Sequence, residues 1–208
     1  MLRAQTPDSP PVMSDRPTRD LDIRRVLRAQ VAKAHGDSET LIVEELALCE
    51  GAVRVDLAVV NGVIHGYEIK SESDTLARLP AQTSAYNRAL DRVTMVCGLT
   101  HLSAVDRMIP HWWGIQVAAM NEGTLRLSPV RMEGDNPHPE PFAQAQLLWR
   151  DEALAALEAR DLAAGHRSKP RRALWRLLAV HLDAAELGDL VRETLRSRRD
   201  WRVALPLA

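Results

Sequence analysis

Cysteine is nearly absent from this 208-residue chain, with Cys49 and Cys97 alone, each inside an apolar segment and far apart in sequence. That pattern excludes a disulfide framework and a cysteine zinc site, and fits two reduced thiols. Long hydrophobic runs are absent too. No stretch approaches the roughly 18 to 20 apolar residues of a membrane span, and the N-terminus lacks the apolar core of a signal peptide. A cytoplasmic protein with no membrane partner is expected. A charge excess of either sign is the third absence: the formal net charge is -1. The overall field therefore points to no anionic partner, although a carboxylate cluster can mask a basic face elsewhere.

Hydrophobic residues make up 46% of the chain, enough for one core with an appended extension. The opening MLRAQTPDSPPVMSDRPTRD is rich in Pro, Asp and Arg without periodicity, and residues 1–19 read as a disordered lead-in. Ile23, Leu27 and Val31 then recur every four positions, which predicts an amphipathic helix over 21–34 ending at Gly36. LIVEELAL (41–48), VRVDLAVV (53–60) and VIHGYEIK (63–70) read as three strands, the last two joined at Asn61-Gly62. Asp74 is suited to cap a helical stretch from Thr75 to Leu90, which Pro80 bends or restarts. RVTMVCG (92–98) reads as a buried strand, 101–108 as a short helix stopped by Pro110, and 114–120 with 124–130 as a hairpin. The order is αβββαβαββ, an α/β domain over 20–131. A Pro-rich segment, 132–141, reads as a linker to a helical C-terminal region, 142–208.

Two acids interrupt the apolar strands. Asp56 and Glu68 are costly there unless something pairs with them, and aimed at one point they suit a hard divalent cation, Mg2+ with Mn2+ as substitute. Lys70 shares a strand face with Glu68, because side chains alternate with period two. It supplies a fixed positive charge for orienting water or stabilising a phosphate in transition. The hairpin must cooperate. A two-residue turn pairing Val60 with Val63 would put Asp56 opposite Tyr67, on the wrong face. The constellation therefore requires one extra residue, in a three-residue loop with a left-handed Gly62 or in a bulge near Gly66.

RVDLAVV followed by GYEIKS resembles the PD-(D/E)XK nuclease superfamily, whose restriction-endonuclease-like core is an αβββαβ unit with a mixed sheet. Val55 stands where the motif's name has proline. The resemblance implies a preceding acid, which Glu44 or Glu45 offers. The family spacing favours Glu45 as an additional ligand or water-orienting carboxylate beside the catalytic Asp56, Glu68 and Lys70. Gln82 and Tyr86 form Q-x-x-x-Y on the next helix, which looks like the motif of the RecB-like and lambda-exonuclease-like branches and implies substrate positioning, with Arg78 one turn earlier able to meet phosphate. The stretch GYEIKSESDTLARLPAQTSAY, with RVTMVCGLTHL and IPHWWGI, is similar to a small bacterial family of that superfamily over about 21–200. Together these imply a Mg2+-dependent deoxyribonuclease with a C-terminal helical extension, and a homodimer where both strands of a duplex are cut. Which nucleic acid, and whether ends or interiors, stays open.

Each residue has a plainer reading. Glu68 and Lys70 alone would read as a surface pair, and Gln82 and Tyr86 as sheet packing. Glu72, Ser73 and Asp74 read as loop and capping residues, His101 as structural, and Trp112 and Trp113 as core. Arg167, Lys169, Arg171, Arg172, Arg176, Arg196, Arg198, Arg199 and Arg202 could bind phosphate backbone or simply be solvated. The rival to a nuclease is a catalytically silent nucleic-acid-binding or adaptor protein on the same fold.

Overall fold

A computed structural model describes residues 18–35 and 40–198. The expected lead-in, apart from its last two residues, together with the helix end at Gly36 and Arg199 and Arg202, lies outside them. Helix α1 (Asp20–Ala34) carries Asp20 and Asp22 in its first turn and Lys33 in its last, the order the helix dipole favours, and it buries Ile23, Leu27 and Val31. The strands β1 (Leu41–Leu48), β2 (Val53–Val60), β3 (Ile64–Lys70), β4 (Arg92–Gly98), β5 (Gly114–Asn121) and β6 (Thr124–Arg131) form one mixed sheet in that spatial order. Pairing is parallel for β3–β4 and β4–β5 and antiparallel elsewhere. Helices α2 (Leu79–Ala89) and α3 (Leu102–Met108) supply the crossovers.

The sheet is covered on both faces, as buried parallel strands require. On one face the α1 stripe meets Leu57, Val59, Tyr67, Ile69 and Val96. On the other, Val55, Ala58, Val60, Met95 and Ile115 pack with α2, α3 and the C-terminal helices. Those are α4 (Pro141–Ala145), α5 (Arg150–Glu158), α6 (Arg171–His181) and α7 (Ala184–Ser197). Leu148, Leu157, Trp175, Leu178 and Val191 belong to the same continuous core as the strands.

The segment expected as a linker is therefore pinned. Asn136 donates from Nδ2 to the Asn87 and Leu90 carbonyls and from its N–H to the Asp91 carbonyl. Glu140 holds Arg88, and Asp91 receives Arg192 of α7 and Gln144 of α4. The helical region packs on the sheet as one body. Among the described residues no helix is long and apolar enough to cross a membrane.

Two boundaries differ from expectation. Asp74 folds back on Ser71, accepting from its N–H at 2.7 Å and its hydroxyl at 2.6 Å, so residues 71–78 make turns and α2 begins only at Leu79, with Pro80 in its first turn. The β2–β3 register pairs Val60 with Ile64, leaving a three-residue loop of Asn61, Gly62 and Val63. The extra residue is present, but Gly62 is not among the positive-φ glycines. Asn61 closes the loop instead, its Oδ1 accepting from the Val63 N–H and its own N–H donating to the Val63 carbonyl.

Candidate active site

Continued one step beyond Leu57↔Tyr67, the register sets Asp56 opposite Glu68. The ladder opens there, and the Ile69 N–H donates at 2.7 Å to Asp56 Oδ2. On the other side, β1 and β2 pair Glu44↔Leu57 and Leu46↔Val55, so Glu45 lies across from Asp56. Both strands slip at this level. Val43 and Leu46 both pack toward the α2 face, as do Val55 and Ala58, although their spacings are odd. Glu45 takes up the slip in β1 with a left-handed φ of 54°. Two acids thus stand side by side where the alternation of both strands breaks.

Glu68 is 1% exposed and Lys70 4%. The Lys70 ammonium and Gln82 Nε2 both donate to Glu68 Oε1, the second at 2.5 Å. Tyr86 Oη lies 2.5 Å from Glu68 Oε2 and 2.7 Å from the Arg54 carbonyl. A phenol has one proton, which cannot serve two acceptors fully. The single Tyr86 proton is therefore shared between the Glu68 carboxylate and the Arg54 carbonyl. Burial, and then the nearby Asp56 charge, raise the Glu68 pKa against the pull of Lys70. Gln82 Oε1 is buried with no hydrogen-bond partner.

Asp56 is also held from α1. Arg24 Nη2 donates to Asp56 Oδ1 at 2.8 Å, Nη1 donates to the Asp56 carbonyl at 2.9 Å, and Nη1 lies 3.3 Å from Glu45 Oε1. Glu44 turns away to Arg28, so it is Glu45 that stands beside Asp56. Glu45 also rims a groove of about 540 Å³ between β1 and the C-terminal helices, lined further by Trp149, Arg150, Arg171 and Arg198.

The structure brings Asp56, Glu68, Lys70, Gln82 and Tyr86 together, with Glu45 alongside through Arg24. Gln82 and Tyr86 both contact Glu68, which they orient, and Tyr86 also meets the Arg54 carbonyl. Arg78 is exposed before α2. Trp113 is core, stacked on Tyr86 at 5.8 Å and donating to Asn87. The tail arginines largely face acids of the chain: Arg167 meets Glu158, and Arg171 and Arg172 meet Glu50. Among the described residues no group of three or more His, Cys, Asp or Glu converges as a metal cage. Arg24 escaped sequence reading, since nothing distinguishes it from Arg25 or Arg28 on the same helix.

The family described as bacteriophage P4 protein cII matches residues 23–202. Protein cII of enterobacteria phage P4 is 29% identical over 94 residues, which are 45% of this chain and 36% of the relative's length. Among solved structures, a protein of unknown function from Silicibacter pomeroyi is 22% identical with a TM-score of 0.39, over 70% of this chain and 87% of that one.

Proposed function

The chain belongs to the bacteriophage P4 protein cII family, and within it we propose a metal-dependent nuclease, restriction-endonuclease-like in its core, that hydrolyses phosphodiester bonds in DNA. The observation that carries this reading is the closeness of the two acids, Asp56 held on the Ile69 N–H next to Glu68 and its charge acting on the Glu68 carboxyl, with Lys70 on Glu68.

The donor chemistry fits a hard divalent cation such as Mg2+. Two carboxylates are close enough for Asp56 to raise the Glu68 pKa, and the orphaned Gln82 Oε1 offers a further buried oxygen beside them. Asp56 and Glu68 would hold the ion, which would supply positive charge at the scissile phosphate and a more acidic water. Lys70 holds a proton donor against the same carboxylate, where it can stabilise charge growing on phosphate oxygens. Gln82 and Tyr86 fix the Glu68 rotamer from α2, and the Ile69 N–H fixes Asp56. The groove past Glu45, with Trp149 and Arg150 on its far wall, gives nucleic acid an approach from the sheet edge.

One observation favours a catalytically silent, nucleic-acid-binding protein instead: the Asp56 and Glu68 carboxylates already have protein donors on all four oxygens. Calorimetry with Mn2+ and a cleavage assay on single- and double-stranded DNA separate the two. The nuclease reading expects Asp56→Ala and Glu68→Ala each to abolish Mn2+ binding and cleavage together. It expects Lys70→Ala to keep metal binding and lose rate by about 100-fold or more, as for a donor acting in the transition state. A wild-type chain that binds DNA but neither binds Mn2+ nor cuts supports the silent protein.

A further inference from the structure

We propose that Arg24 is an internal counter-ion that withholds Glu45 from the cation site, leaving Asp56 and Glu68 as its carboxylates; the inference rests on the metal-site reading above. The guanidinium reaches from α1 and touches both Glu45 and Asp56. Its grip on Asp56 is double, on the carbonyl and on Oδ1, and its side chain is only 18% exposed. It is not a loosely solvated surface charge. Glu45 is 37% exposed on the groove rim and has Arg24 as its ion-pair partner.

An ion drawing on Asp56 Oδ1 and Glu45 Oε1 would compete with the guanidinium for both oxygens. A cation shared by Asp56 and Glu68 does not take the place of the guanidinium, because Arg24 contacts neither oxygen of Glu68; the charge it meets there is the Lys70 ammonium on Oε1. Affinity for hard cations follows the number of charged oxygen ligands. Removing Arg24 therefore both deletes a repelling charge and frees a third carboxylate. A residue that merely stapled α1 to the sheet would give no gain that depends on Glu45.

The test is Mn2+ titration calorimetry on the full chain for wild type, Arg24→Gln, Arg24→Lys, Glu45→Gln and the Arg24→Gln/Glu45→Gln double variant, with circular dichroism to check folding. Arg24→Gln should bind Mn2+ about tenfold tighter, from the charge removed and the ligand gained. Arg24→Lys should match wild type, and the double variant should lose most of the gain. Glu45→Gln, at a half-exposed position that leaves Arg24 on Asp56, should stay within about twofold of wild type if Glu45 is no ligand. Wild-type binding with no gain in Arg24→Gln, a gain that survives in the double variant, or loss of binding in Glu45→Gln would each overturn the inference while leaving the metal site standing. Should Arg24→Gln not fold, the Glu45→Gln result decides alone. Absence of binding in both wild type and Arg24→Gln would remove this inference and the metal reading together.

Discussion

His65 accepts or donates at Nε2 with Thr94 Oγ1 at 2.9 Å and stacks on Tyr67, with ring centroids 4.2 Å apart. Burial, aided by Arg92, lowers its pKa to about 3. The ring is therefore neutral in the folded chain, and the 3.9 Å approach of Nδ1 to Glu133 is not an ion pair. The unfolded chain binds a proton at His65 near pH 6.5 that the folded chain refuses down to about 3. Stability from the neutral ring is complete above that upper value and is lost as pH falls through the window. Its slope is at most about 1.4 kcal/mol per pH unit. Between pH 7 and pH 5, His65→Gln should lose about 2 kcal/mol less stability than wild type in urea denaturation. Equal losses in the two proteins would mean that His65 is protonated in the folded state.

At the scale of elements, close packing between β4 and the turn after β3 holds the chain that leaves Lys70. A Cβ on Gly98 would lie 2.4 Å from Glu72 Cγ and 3.0 Å from the Glu72 backbone nitrogen. Backbone must move to admit it, so Gly98→Ala should cost about 1 to 3 kcal/mol in a thermal or urea melt. Gly62→Ala meets nothing within 4 Å, and the residue is not left-handed. It should be neutral within about 0.5 kcal/mol. A neutral Gly98→Ala would show that the turn after β3 is free to shift. The strands were legible because β-branched runs bounded by Gly, Asn and Pro leave few alternatives, and the need to face Asp56 toward Glu68 was enough to call for a longer hairpin loop. The start of α2 was not legible, because an Asp at that position can cap the chain ahead of it or accept from the chain behind, and here Asp74 accepts from Ser71. Nor was the slip at Glu45 and Asp56: a left-handed glutamate has no sequence mark, and regular alternation is the only pattern a reader can extend. Arg24 stayed hidden for a related reason, since which of several helix cations meets a site depends on how α1 crosses the sheet.

For the whole molecule the decisive fact is the shared core. The sequence pattern separates a strand-rich half from a helical tail at a Pro-rich segment, and reads as a domain that would survive alone. In the structure that segment is tied to α2 and β4, and Trp175, 2% exposed, sits in the same hydrophobic core as the strands with its Nε1 on the Leu148 carbonyl. Arg192 of α7 reaches Asp91 at the start of β4, which also accepts from the Ile64 N–H at the start of β3. Removing the tail uncovers apolar surface on the α2 side of the sheet and leaves Asp91 without two of its donors. Each fully buried aliphatic or aromatic side chain exposed in this way forfeits about 1.5 to 3 kcal/mol, and a few suffice to exceed the total stability of an ordinary domain. A chain ending at Glu140 should therefore be insoluble or lack a cooperative melt, whereas the full chain should unfold in one transition seen alike by tryptophan fluorescence and far-ultraviolet circular dichroism. Because Trp112 and Trp113 lie on the sheet side and Trp149 and Trp175 on the helical side, fluorescence reports on both halves. Two separate transitions in the full chain, or a truncated chain with a sharp melt of its own, would restore the helical tail to the status of an independent domain.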